Sequence, residues 1–134
     1  MQFSFIVTFL AFCVASIFAA PLDRRLTAVS NVKCTSKTAL DFHETNVAIL
    51  AICGGIAGTI EKCQGSPTST VGAFGGSKFT ITPVVAGATL NISKGRWEQG
   101  IKAVAAICGT DIPFTATFQA GASTGDVNVT LAAA

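Results

Sequence analysis

Tyrosine is absent from this 134-residue chain, and tryptophan, histidine and methionine occur once each. A single His leaves no pair of imidazoles from which to build the usual nucleophilic or metal constellations. Charge is also scarce, at 12% Asp, Glu, Lys and Arg. A protein that neutralises several phosphates of a duplex needs a basic face, and six Lys scattered singly from Lys33 to Lys102 with Arg96 do not make one, so nucleic acid is excluded as a partner. Close cysteine pairs of the C-x-x-C kind are missing too, since Cys34, Cys53, Cys63 and Cys108 are separated by 19, 10 and 45 residues, which argues against structural zinc.

What is present begins with an uncharged apolar stretch from Phe3 to Ala19, closed by the small residues Ala19 and Ala20 and followed by Pro21-Leu22-Asp23-Arg24-Arg25. It is shorter than the roughly 20 apolar residues of a spanning helix and ends in small residues, so it reads as a signal peptide cleaved near Ala20, not as a stable membrane anchor. The dibasic pair Arg24-Arg25 reads as the end of a short pro-segment, 21–25. Residues 26–134 then form a single domain, with seven Lys and Arg against six Asp and Glu. A chain of that length can bury one modest core.

With Cys13 in the signal, four Cys remain, and an exported chain pairs them into two disulfides with three connectivities open. The sequons Asn91-Ile92-Ser93 and Asn128-Val129-Thr130 suit the same compartment.

The pattern along residues 26–134 predicts a strand over 32–38 and then a helix capped by Asp41, with Glu44 three residues on. Ile49, Cys53, Ile56, Ile60 and Cys63 recur at helical spacing, so this helix is expected to run on to Cys63. Gly54, Gly55 and Gly58 weaken it, which suggests close approach of a second backbone and tight packing on a neighbour. Thr70 to Phe74 and Lys78 to Thr82 flank Gly75-Gly76 as a hairpin. Ser93 caps a second helix in which Trp97, Ile101, Val104 and Cys108 share a face, with Ile92 and Trp97 placed for a hydrophobic staple and Gly109 as the stop. Phe114-Ala116-Phe118 and Val127-Val129-Leu131 alternate as two final strands around a turn at 121–125. The order is β-α-β-β-α-β with an extra C-terminal strand, an α+β two-layer sandwich with both helices on one sheet face. In that frame Cys34 is expected to bond Cys63, and Cys53 to bond Cys108. Cys53 with Cys63 is the pairing most strongly disfavoured, because ten helical residues span about 15 Å against a limit of about 7 Å between bridged Cα atoms.

No catalytic residue, cofactor site or metal site emerges. Asp41, His43 and Glu44 could be drawn as ligands, but capping accounts for both acids. The carboxylates Asp41, Glu44, Glu61, Glu98, Asp111 and Asp126 are scattered over helix ends and loops instead of facing each other across a cleft. Trp97 has core spacing, as do Phe79, Phe114 and Phe118, which leaves Phe42 and Phe74 as the candidates for exposed aromatics.

The signal, the dibasic site, the four Cys and the helix motifs Ile-Cys-Gly-Gly-Ile-Ala-Gly-Thr (52–59) and Ala-Ile-Cys-Gly (106–109) resemble the small secreted cysteine-containing proteins of filamentous fungi. Within these, the layout is similar to killer-toxin-like effectors, including the secreted-in-xylem group. That resemblance implies a ferredoxin-like sandwich and a non-enzymatic virulence effector, secreted into the extracellular space or host apoplast, that binds a host or co-secreted protein. Its contact surface is expected at Phe74 to Lys78 and at Lys94 to Arg96. A second resemblance, through the same helix motifs, is to fungal secreted glycan-binding proteins, with a glycan as the alternative partner. A membrane-active antifungal toxin is a third reading.

Overall fold

The computed structural model describes residues 28–56 and 61–134. The signal peptide, the pro-segment with Ala20, Arg24 and Arg25, and Gly58 and Ile60 of the first helical motif lie outside the described residues.

Five strands and two helices follow in the order β1 (Val29–Cys34), α1 (Phe42–Ala51), β2 (Thr70–Phe74), β3 (Ser77–Pro83), α2 (Lys94–Cys108), β4 (Phe114–Gly121) and β5 (Asp126–Ala133). Every strand pair is antiparallel, and the sheet order is β1-β4-β5-β3-β2. The α+β class and the disulfide-stabilised single layer of helices are as the pattern predicts. The strand order departs from the ferredoxin-like expectation: a split βαβ layout draws the first strand into the sheet interior, whereas here β1 is an edge and β5, expected as an addition, is the central strand. The short β4–β5 connection explains this, because a hairpin joined by a tight turn pairs with its own partner before any distant strand can intervene.

Alternation sorts the sheet into two faces. Phe79 and Ile81 of β3, Phe114, Ala116 and Phe118 of β4, and Val127, Val129 and Leu131 of β5 point into the core with Ala48, Ile52, Trp97 and Val104 of the helical side. Trp97, 2% exposed, sits edge-on to Phe79 at 5.4 Å and tilted over Phe118 at 5.6 Å, so aromatic packing fixes α2 on the sheet. Ser93 caps α2 by accepting from the Arg96 N–H, and Gly109, with φ of 102°, ends it. The helices come closest to the sheet where glycine allows it: Gly100 lies against the Phe118 ring and Gly72 of β2 beneath Ala48 and Ile52.

The first helix corrects the sequence reading. It stops at Ala51 and passes into a 3₁₀ turn, Ile52–Gly54, where Cys53 (φ 51°), Gly54 (φ 79°) and the following Gly55 (φ 130°) all take positive-φ backbone. Glycines that would only weaken a helix supply a reversal here, and only a residue pair without Cβ accepts two of those three conformations cheaply. The returning chain reaches Cys63, whose N–H donates to Ile92 O beside the start of α2. Cys53 and Cys63 are therefore bonded, with Cα atoms 5.1 Å apart. The remaining pair, Cys34–Cys108, ties the end of β1 to the end of α2, 5.5 Å apart. Both expected pairings are thus incorrect. The assumption that failed was a continuous helix from Asp41 to Cys63.

Candidate functional site

The N-terminus of α1 and the tip of the β2–β3 hairpin are built into one end of the molecule. Asp41 caps α1 by accepting from the Glu44 N–H at 2.9 Å. Glu44 does not complete a capping box, since its Oε2 accepts from the Gly76 N–H at 2.8 Å and clamps the hairpin turn to the helix. Beneath the clamp, the Thr45 hydroxyl bonds Asp41 O and lies 2.9 Å from Ser77 Oγ, which satisfies a buried polar pair. Held this way, Phe42 is 68% exposed and Phe74 45% exposed, and the His43 ring meets the Phe74 ring edge-on at 6.1 Å. The one histidine thus serves as a packing partner for an exposed aromatic. Among the described residues, no group of three His, Cys, Asp or Glu could hold a metal ion.

A crevice opens beside this end because α1 and α2 lie side by side on the sheet without packing closely on each other. Its inner part, about 130 Å³, is bounded by Phe42, Ile49, Ile101, Val104 and Asp111 over Phe79 and Leu131. The outer part, about 400 Å³ and more open, is bounded by Leu50, Trp97, Glu98 and Lys102 and shares Asn46, Ile49 and Ile101 with the inner part. At the inner end, partial burial and then the nearby Asp41 carboxylate raise the Asp111 carboxyl above its ordinary value. Asp111 also carries a φ of 60°, with its carbonyl accepting from the Leu40 N–H. Sequence reasoning placed Asp111 in a solvated loop and missed the crevice. The exposed apolar Leu50, off the buried stripe of its helix and on the crevice wall, was its trace in the sequence.

The residues expected to share a contact surface are separated. Phe74 is at the hairpin end and leans to the helical side, in phase with Gly72. Lys78 is in the opposite phase from buried Ser77 and Phe79 and stands on the uncovered face. Arg96 donates to Gln119 O from the start of α2, beside the end of β4. Gln119 lies by the first residues of β5 and Phe74–Ser77 by its last, so Lys94 and Arg96 sit at the far end of the strand, about 20 Å from the hairpin tip at 3.3 Å per residue.

Of the two sequons, Asn91 is half-buried between buried Leu90 and Ile92, and the Ser93 hydroxyl of that sequon is occupied as a helix cap. Asn128 is exposed on β5, where its Oδ1 accepts from the Thr117 hydroxyl at 3.2 Å. Among the described residues, no helix is long and apolar enough to cross a membrane. No protein-family model matches the chain, and no curated protein does.

Proposed function

We propose that this chain is an exported, non-enzymatic fungal effector that acts outside the cell, in a host apoplast, by docking onto a host or co-secreted protein. The observation that supports it is the exposed aromatic end: Phe42 and Phe74 are carried on two different elements that Glu44 locks together, next to the crevice between α1 and α2. Exposed aromatic rings on a rigid platform beside a pocket are the composition of a protein-binding hot spot, where an apolar anchor of the partner enters the pocket and rings around it exclude water. The two disulfides suit an extracellular working place. Asp41 and Glu44 are engaged as a helix cap and a hairpin clamp, which favours binding as the reading.

The test is co-purification of a defined extracellular host protein with the oxidised protein, compared with a Phe42→Ala/Phe74→Ala variant and with a Lys94→Ala/Arg96→Ala variant at the opposite end. Retained binding in the second and loss in the first are expected. Equal binding by all three forms would remove the proposal. Carbohydrate-array binding without a protein partner would favour the glycan-binding alternative, and leakage from vesicles the membrane-active one.

A further inference from the structure

We infer that Asn128 carries the protein's N-linked glycan, and that this glycan covers the sheet face opposite the helices. The inference rests on the export reading above. Both helices lie on the Phe79–Phe118 side, so the other face of the sheet presents its polar phase outward. The register sets that phase in rows across the strands: Thr80, Thr130, Thr115 and Lys33 in one, Thr82, Asn128, Thr117 and Ser30 in the next. Asn128 is in the second row on β5, the middle strand of five, and so stands near the centre of the face.

Three local features suit it to carry a sugar. Its side chain is exposed, and its neighbours in the row are short hydroxyl residues that leave room above the sheet. The Thr117 hydroxyl engages Oδ1, the atom that remains an acceptor after glycosylation, and so leaves Nδ2, the atom that bonds the sugar, free to point outward. The third sequon residue, Thr130, lies in strand and makes no cap, unlike Ser93 of the other sequon. At Asn91 the side chain is half-buried, and its backbone N–H is tied to Gly121 O, so a glycan there would have to emerge from a packed loop. A bulky hydrated group at the centre of the open face prevents a second sheet or a partner from laying on it. It confines protein docking to the helical side and to the aromatic end.

The test is secretion of the full chain from a fungal expression host, with intact mass before and after peptide-N-glycosidase. The expected result is a mass loss on deglycosylation in wild type and in Asn91→Gln, and none in Asn128→Gln or in Thr130→Val, which keeps side-chain shape while removing the sequon hydroxyl. Deglycosylation is also expected to release Lys33, on the covered face, for acylation without changing Lys102 on α2. A secreted protein with no glycan at Asn128, or one modified at Asn91 alone, overturns the inference and leaves export standing. Retention in the cell with Met1 intact overturns export and the inference together.

Discussion

At the scale of single residues, Asp111 is the position where electrostatics and backbone geometry bear on stability together. Its carboxyl is raised above its ordinary value of 3.8, first by burial and then by Asp41. A carboxyl whose folded-state pKa is raised binds its proton more tightly in the native state than in the unfolded chain. Its relative stabilisation is therefore complete below 3.8 and is lost as the pH rises through the raised folded value. Above that value the charged group penalises the native fold. Asparagine tolerates the left-handed backbone at this site and has no charge. Asp111→Asn is accordingly expected to raise the melting temperature at pH 7 and to leave it unchanged below 3.8. The emission of Trp97, the only Trp in a chain without Tyr, reports the transition directly because the ring is buried. A gain of the same size at acid and neutral pH would show that the effect is conformational and not electrostatic.

At the scale of elements, the disulfides divide into a long tie and a short one. Cys34–Cys108 spans 74 residues and joins the edge strand to the end of α2, whereas Cys53–Cys63 spans 10 and staples the reversal after α1. Loop-closure entropy assigns about 4 kcal/mol to the first and about 3 kcal/mol to the second. Replacing Cys34 and Cys108 together by Ser is therefore expected to lower the denaturant midpoint more than replacing Cys53 and Cys63 together, at unchanged secondary structure by far-ultraviolet circular dichroism. The opposite order would mean that the short staple organises the fold beyond its loop length. Residue patterns revealed α2 in full because Ser93, Trp97, Val104 and Gly109 each state one local rule and the rules agree. The β2–β3 hairpin was legible for the same reason, with Gly75-Gly76 between Phe74 and Ser77. The end of α1 was not. Ile56 and Cys63 keep helical spacing from Ile49, yet they are buried after a reversal, because burial against a common core selects apolar residues whether or not a helix carries them. Strand order was equally hidden, since alternation states which face a strand presents and not which neighbour it takes. Phe42 and Phe74 were already the candidates for exposed aromatics in the sequence, and Phe74 is exposed because it ends β2 at the hairpin tip. The separation of Lys78 and Arg96 from them depended on the order of strands.

At the scale of the whole molecule, little charge and a small imbalance between its signs bear on how any partner is found. Residues 26–134 hold seven cationic and six acidic side chains, spread over both ends and both faces. Such a surface projects no strong field, so long-range steering contributes little to encounter, and the affinity must come from contact. The aromatic end fits this: Phe42, His43 and Phe74 offer apolar area, and the Glu44 carboxylate beside them is already engaged by the Gly76 N–H. Adding salt shortens the screening length from ~30 Å at 0.01 M to ~8 Å at 0.15 M and weakens only the charge-dependent share of binding. Docking through Phe42 and Phe74 is therefore expected to keep its association rate and affinity nearly constant across that range, and to show the negative heat-capacity change of apolar burial. Titration calorimetry at the two ionic strengths checks both. A partner whose association slows steeply with salt would instead be using Lys33 and Lys78 on the uncovered face or Lys94 and Arg96 at the far end, and the aromatic end would lose its place as the docking site.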